Sequence, residues 1–200
     1  MERMKKPLLA LVALCSAGPA LADPLVDALD QNGGVLCFSR SYDAAWLKSH
    51  PGQTLKGVTL AITDDGRGEQ LNMRLALDLP RGPLYGFGQC WWETNINRGV
   101  QNDILDPTFK PTKGVYCHMS TDITGGSAEE GAEFSIDWQD GGRTLQAHLA
   151  EAMAMWTSYD ISGTADWHDL KAEDRIVRLN RVDALNCRAL NERFAPNGYE

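Results

Sequence analysis

Residues 57–79 read GVTLAITDDGRGEQLNMRLALDL, and this stretch decides the fold of the chain. Before its polar centre, Val58, Leu60 and Ile62 alternate with small or polar residues. After the centre, apolar residues again take alternate positions, at Leu71, Met73, Leu75, Leu77 and Leu79. A helix would scatter residues of this spacing around its axis, whereas a strand places them on one face. With Asp65-Gly66 in the connection, the pattern predicts a β-hairpin.

A second hairpin is predicted between residues 132 and 150. Its first half alternates apolar with polar residues at Phe134, Ile136 and Trp138. Residues 139–142, QDGG, supply the turn. Residues 144–156 fit two patterns, because some of their apolar residues recur at helical spacing and others alternate. We expect a strand there, since the segment directly follows a hairpin turn.

Further segments have the composition of strands, short helices or loops. Strands are predicted at residues 34–40, 84–93, 114–120 and 175–182, and loops at 95–111 and 121–131. Short helices are predicted at 25–31, 44–50 and 184–194, the last two with Asp43 and Asp183 as N-caps. Strands and helices do not alternate regularly, which disfavours a parallel sheet. The sequence therefore predicts a single, mainly β domain over residues 23–200. Its expected architecture is an antiparallel sandwich or barrel of about seven or eight strands, with short N-terminal helices and a C-terminal helix.

Residues 1–22 have the features of a secretory signal peptide. A basic start precedes an apolar run at residues 8–14, and Ala20-Leu21-Ala22 is a small-x-small cleavage pattern. The run is too short to span a bilayer, and no other apolar stretch approaches the length of about 18 residues that a membrane helix needs. We expect cleavage after Ala22 and a soluble protein, without a transmembrane segment, in a periplasm or outside the cell.

Cleavage makes the protein more acidic. The full chain has 19 Lys and Arg against 27 Asp and Glu, a net charge of −8. Without Glu2 and the three basic residues of the signal peptide, residues 23–200 contain 16 basic and 26 acidic residues, a net charge of −10. Sequence-independent binding of nucleic acid requires a basic face, so no nucleic-acid partner is expected. Electrostatic steering favours basic partners instead.

Four cysteines follow the signal peptide, at Cys37, Cys90, Cys117 and Cys187. An even number in an exported chain favours two disulfides, for which three connectivities exist. Our hypothesis is that Cys90–Cys117 joins neighbouring strands and that Cys37–Cys187 ties the two ends of the domain together. Buried free thiols are the alternative. No CxxC pair is present, so neither thioredoxin-like chemistry nor a zinc ribbon has support.

Motifs for catalysis and cofactor binding are absent from the sequence, which has no GxGxxG, GxxxxGK[ST], HExxH or GxSxG. We therefore assign no catalytic residue and expect no cofactor. Asp166, His168 and Asp169 lie close together in a predicted loop and are a weak candidate for a metal site, although loop polarity explains them equally well. A small hydrolase that uses His118 or His168 with nearby carboxylates is the alternative function.

The aromatic segment at residues 84–93 is the main candidate for a binding surface. In a strand, Tyr85, Phe87 and Trp91 share one face, while Trp92 points to the other. Two glycines, Gly86 and Gly88, lie on the Trp92 face together with Leu84 and Cys90. These glycines leave room beside the backbone for an aromatic ring or a ligand.

His118 is expected near this surface. If Cys117 points into the core, Tyr116 and His118 point outward together. His148 is predicted on the outer face of a nearby strand, and both histidines are interpreted as solvated. We predict a binding module that contacts a small ligand or a partner protein, with the candidate residues Tyr85, Phe87, Trp91, Trp92 and His118. The alternative is that the aromatic rings fill the core.

Overall fold

A computed structural model describes five ranges of the chain, residues 23–64, 71–93, 114–121, 131–157 and 164–194. The predicted signal peptide lies outside these ranges, as do the loop at 95–111 and all but the ends of the loop at 121–131. These three assignments stay predictions. Within the described ranges, no helix has the length and apolar character that crossing a membrane requires.

Ten strands and three short α-helices occur in the described ranges. The strands are β1 (Val35–Ser41), β2 (Gly57–Thr63), β3 (Leu71–Leu79), β4 (Gly82–Glu93), β5 (Gly114–Met119), β6 (Glu133–Gln139), β7 (Thr144–His148), β8 (Ala152–Met155), β9 (Asp166–Asp169) and β10 (Ile176–Val182). The helices are α1 (Pro24–Asp30), α2 (Ala44–Ser49) and α3 (Arg188–Arg193), and two 3-10 turns lie at Ala172–Asp174 and Ala184–Cys187.

Eight of these strands form a closed antiparallel barrel in the order β1-β10-β7-β6-β5-β4-β3-β2. Consecutive strands are neighbours up to β7, after which the chain makes the separate hairpin β8–β9 and returns as β10 to pair with both β7 and β1. The hairpin is attached to the barrel wall because Tyr85 of β4 pairs with Trp156, which follows β8. The predicted mainly β, antiparallel fold is confirmed, and its architecture is a barrel.

The hairpin at residues 57–79 is formed by β2 and β3, as the alternation predicts. Its register places Leu60 opposite Leu75 and Ile62 opposite Met73, so the apolar positions of both strands share the inner face. A shift by one residue would turn this apolar set to the solvent, which fixes the register.

Inward side chains fill the barrel. Several of them are at most 1% exposed, including Leu60, Met73, Leu75, Phe134, Ile136, Leu145 and Leu179. An eight-stranded barrel is just wide enough for its own side chains to occupy the interior. Helix α1 adds Leu25 and Leu29 to this core beside the start of β1, and we call this end of the barrel the α1 end.

Both predicted disulfides are confirmed. Cys90–Cys117 joins two residues directly opposite each other on β4 and β5, inside the barrel, where both are fully buried. Cys37–Cys187 lies on the outer face and ties the C-terminal segment to β1 across 150 residues of sequence. Leu190 and Phe194 continue this contact along the outside of the barrel.

Two local predictions need correction. Residues 144–156 are extended, as expected, but they form two strands, β7 and β8, rather than one. Residues 166–169, predicted as a loop, form β9 because β8 provides a partner from Ala152↔Asp169 to Met155↔Asp166. Strand β9 is only four residues long and pairs with β8. A segment this short has no extended alternation of apolar residues from which a strand could be predicted.

The space beside the β4 glycines is occupied by protein, so the prediction of room for a ligand there is wrong. A Cβ on Gly86 would meet the terminal methyl of Met119 and lie 3.3 Å from that of Met155. A Cβ on Gly88 would meet the backbone carbonyl of His118. The glycines instead allow β5 and the Met119 side chain to approach β4 closely.

The two glycines give a matched pair of substitutions. Gly88→Ala should lower the free energy of unfolding by about 2–3 kcal/mol, because the new methyl meets backbone that cannot move without opening the β4–β5 pairing. Gly86→Ala should cost only about 1 kcal/mol, because the flexible end of Met119 can move aside. Urea denaturation measures both values, and an equal loss for the two variants would contradict the assignment.

Removing the outer disulfide should strongly destabilise the barrel. The double variant Cys37→Ala/Cys187→Ala releases a loop of 150 residues. In the chain-entropy model this corresponds to about 5 kcal/mol of unfolding free energy. Urea denaturation of the oxidised proteins compares the variant with the wild type. A loss below about 1 kcal/mol would show that the disulfide does not constrain the unfolded chain in this way.

Candidate functional site

The barrel wall separates the predicted binding residues into three groups. Alternation along β4 is as predicted, with Tyr85, Phe87 and Trp91 outside and Trp92 inside. His118 of β5 lies outside, next to Trp91. The five residues therefore do not form one surface.

Tyr85 and Phe87 lie beneath the C-terminal segment. The ring of Phe194 stacks on that of Phe87 with centroids 5.8 Å apart, and Trp156 meets Phe194 edge-on at 6.4 Å. Tyr85 is 6% exposed and belongs to the same apolar cluster as Cys187. The contacts of these two residues are those of packed side chains, as in the core-filling alternative.

Trp91 and His118 belong to a compact group outside the barrel that also contains Tyr116 and Glu133. We call these four residues the outer-wall cluster. The ring centroids of Trp91, Tyr116 and His118 lie 5.0–5.2 Å from one another. Register explains the grouping, because β4 pairs Trp91 with Tyr116 and β6 pairs Glu133 with His118.

Glu133 is the polar centre of the outer-wall cluster. The hydroxyl of Tyr116 donates a short hydrogen bond to Oε2 of Glu133. Nε2 of His118 lies 3.2 Å from the other carboxylate oxygen, Oε1. The side chains of His118 and Glu133 remain 18% and 23% exposed, so solvent still reaches the carboxylate and the imidazole.

Tyr116 is held in its protonated form. Burial raises the pKa of its phenol far above the ordinary value, and the hydrogen bond to Glu133 and the negative charge of that residue raise the pKa further. The phenol is therefore a fixed hydrogen-bond donor toward the carboxylate. Strands β4 to β7 contain no lysine or arginine, so no permanently charged basic side chain on these strands neutralises Glu133.

Ser135 and His148 extend the row of outward positions next to the cluster. Ser135 is opposite Tyr116 on one side and opposite His148 on the other. Although both face outward, Ser135 is 0% and His148 is 6% exposed, and Nε2 of His148 lies 3.1 Å from Nε2 of Gln146. The interpretation of His148 as a solvated residue is therefore wrong. His118 is also largely buried.

The weak metal candidate at Asp166, His168 and Asp169 does not assemble. Strand β9 turns Asp166 and His168 to one face and Asp169 to the other. Nδ1 of His168 lies 3.4 Å from Nη2 of Arg81, a cationic neighbour unsuited to a metal ligand. Across the described ranges, no three His, Cys, Asp or Glu residues are grouped so that they could hold a metal ion.

For the hydrolase alternative, only one of its two histidines has the required neighbour. His118 lies beside the carboxylate of Glu133, whereas His168 contacts Arg81. Tyr116 and Glu133 were not among the predicted site residues. Alternation already placed Tyr116 beside His118, but Glu133 could be placed only by the β5–β6 register, which the sequence does not specify.

The comparisons with known proteins add no assignment, because no protein-family model, curated protein or solved structure matches the chain. The function therefore has to be argued from the chemistry of the outer-wall cluster and of the α1 end.

The protonated state of Tyr116 can be tested by absorbance at the tyrosinate band. We expect native wild type and native Tyr116→Phe to give the same titration up to about pH 11, since the buried phenol does not ionise there. In denaturant, the two should differ by one tyrosinate, because an unfolded tyrosine ionises near pH 10.

The same shift gives a stability prediction with a definite sign. The folded-state pKa of Tyr116 is raised, so its contribution to stability is present below about pH 10 and is lost as pH rises toward the folded-state value. Wild type should therefore lose more stability than Tyr116→Phe between about pH 9 and pH 11. A native titration that already differs by one tyrosinate at pH 10 would contradict the assignment.

Proposed function

We propose that this protein is a binding module and that its outer-wall cluster binds a positively charged group of a basic partner, such as a lysine side chain. The observation that carries the proposal is the partly exposed side chain of Glu133 beside three neighbouring rings, on strands that contain no lysine or arginine. A carboxylate beside aromatic faces is the combination that attracts an ammonium ion most strongly, through charge and through cation–π contact.

The geometry of Glu133 is compatible with a further ligand. An ionised carboxylate has about four lone-pair positions, and Tyr116 and His118 occupy one on each oxygen. An ammonium group can therefore approach the remaining positions without displacing the phenol. The ring of Trp91 is partly exposed and lies beside His118, on the same outer face as Glu133.

The filled barrel interior supports a site on the outer wall. Core side chains such as Leu60, Phe134 and Leu179 are fully buried and occupy the volume that a ligand-binding barrel would leave open. The net charge of −10 over residues 23–200 adds long-range attraction for a basic partner.

The proposed place of action is a periplasm or the extracellular space. Two disulfides are typical of proteins that fold in oxidising compartments. The signal-peptide pattern at residues 1–22 supports the same location. A basic partner would then be another exported protein or peptide.

The proposal predicts that the protein binds a tetralysine peptide and discriminates against the same peptide with acetylated lysines. Glu133→Gln should weaken tetralysine binding at least tenfold, or about 1.4 kcal/mol, because it removes the charge and keeps the shape. The matched control is Asp137→Asn, an outward carboxylate on the same strand whose Oδ2 accepts a hydrogen bond from Gln139. It should change binding less than twofold, or about 0.4 kcal/mol.

Isothermal titration calorimetry at low and high salt measures these affinities, and stopped-flow fluorescence gives the association rates, which should fall with salt. Two outcomes would overturn the proposal. One is equal affinity for the acetylated peptide, and the other is an equal loss of affinity in the Glu133 and Asp137 variants.

A further inference from the structure

The α1 end of the barrel contains a second candidate site, on the opposite side of the wall from the outer-wall cluster. We propose that Arg181, with the rings of Trp92 and Trp138, binds a small aromatic carboxylate there. The inference does not depend on the proposed function, because it uses a different surface and a ligand of opposite charge.

Arg181 occupies an inward position of β10. Val177 and Leu179 are buried inside the barrel, so alternation turns Arg181 inward as well, and the register places it opposite Phe38 of β1. Its backbone N–H donates to the carbonyl of Arg143, the residue directly before β7. The guanidinium is therefore directed to the inner rim of the barrel and away from the solvent face of β10.

The guanidinium of Arg181 lacks a partner within the part of the chain that the structure describes. Its Nη2 is buried and makes no hydrogen bond. By contrast, Arg175, Arg178 and Arg188 each face a carboxylate. A buried N–H of a charged group without an acceptor costs free energy, and an anionic ligand that accepts from it would remove this cost. The chain has more acidic than basic residues, so most arginines are expected to have a carboxylate nearby.

Aromatic residues share the inner rim with Arg181. Phe38, its cross-strand neighbour, meets Trp138 edge-on with centroids 6.1 Å apart, and Trp138 meets Trp92 edge-on at 6.3 Å. Phe38 is fully buried, whereas Trp92 and Trp138 are only partly buried against the core. The rim therefore carries an arginine with a buried, unbonded Nη2 and, on the same inner side of the wall, two indoles that are partly exposed.

This combination defines the ligand class. A guanidinium pairs with the two oxygens of a carboxylate through parallel N–H donors, and an indole face favours a flat aromatic ring. The filled core below limits the ligand to a small molecule held at the rim. Trp91 and Trp92, neighbours in sequence, thus belong to different sites because they point to opposite sides of the wall.

The test uses 2-naphthoate as the anionic probe and 2-naphthamide as its neutral analogue of the same shape. Calorimetry should give a Kd for 2-naphthoate below about 1 mM and binding of 2-naphthamide at least tenfold weaker. Arg181→Gln should weaken naphthoate binding at least tenfold and leave naphthamide binding unchanged. This comparison of two probes on the wild type does not rely on any variant folding.

Two control variants complete the experiment. Arg178→Gln removes an outward arginine of the same strand, which pairs with Asp140 at 3.8 Å, and should leave naphthoate binding unchanged. Glu133→Gln should also leave it unchanged, which separates this site from the outer-wall cluster. The proposal is overturned if wild type does not bind 2-naphthoate, if the neutral analogue binds equally well, or if Arg178→Gln weakens binding as much as Arg181→Gln.

Discussion

The pairing of β1 with β10 is the interaction on which the rest of this structure depends. Cys37↔Val182, Phe38↔Arg181 and Ser39↔Asn180 join the first barrel strand to the last, so that no barrel strand is left with an open edge. Closure also gives every strand an inner and an outer face. The Cys37–Cys187 disulfide lies beside this seam and holds the C-terminal segment across the outside of neighbouring strands.

Closure determines where accessible polar and aromatic side chains lie, on the wall and at the rim. Eight strands enclose a space that apolar side chains fill, and Cys90–Cys117 joins two adjacent strands on the inner face of the wall. The polar and aromatic groups that remain accessible are therefore those on outward positions and those at the barrel ends. The Trp91-Trp92 pair illustrates this, since one ring joins Tyr116 and His118 outside while the other meets Trp138 inside.

The two proposed sites are complementary in charge. Outside, Glu133 presents a carboxylate on strands without lysine or arginine, and Tyr116 is kept protonated as its donor. Inside the rim, Arg181 presents a guanidinium that no described acidic side chain pairs with. Partial exclusion of water at each site strengthens the interaction of the charge with an ion of opposite sign.

Much of this protein was determined by its sequence alone. Alternation of apolar residues correctly predicted the hairpin at 57–79 and the two faces of β4, because a period of two is typical of a strand and does not fit a helix. The number and spacing of the cysteines led to the correct disulfides. The tertiary structure decided which residues meet across strands. The sequence does not encode the β5–β6 register locally, so only the folded barrel could bring Glu133 to His118 and bury His148 on an outer face. The fold likewise covers Phe87 with Phe194 of the C-terminal segment and leaves Nη2 of Arg181 buried without a hydrogen bond to any described residue.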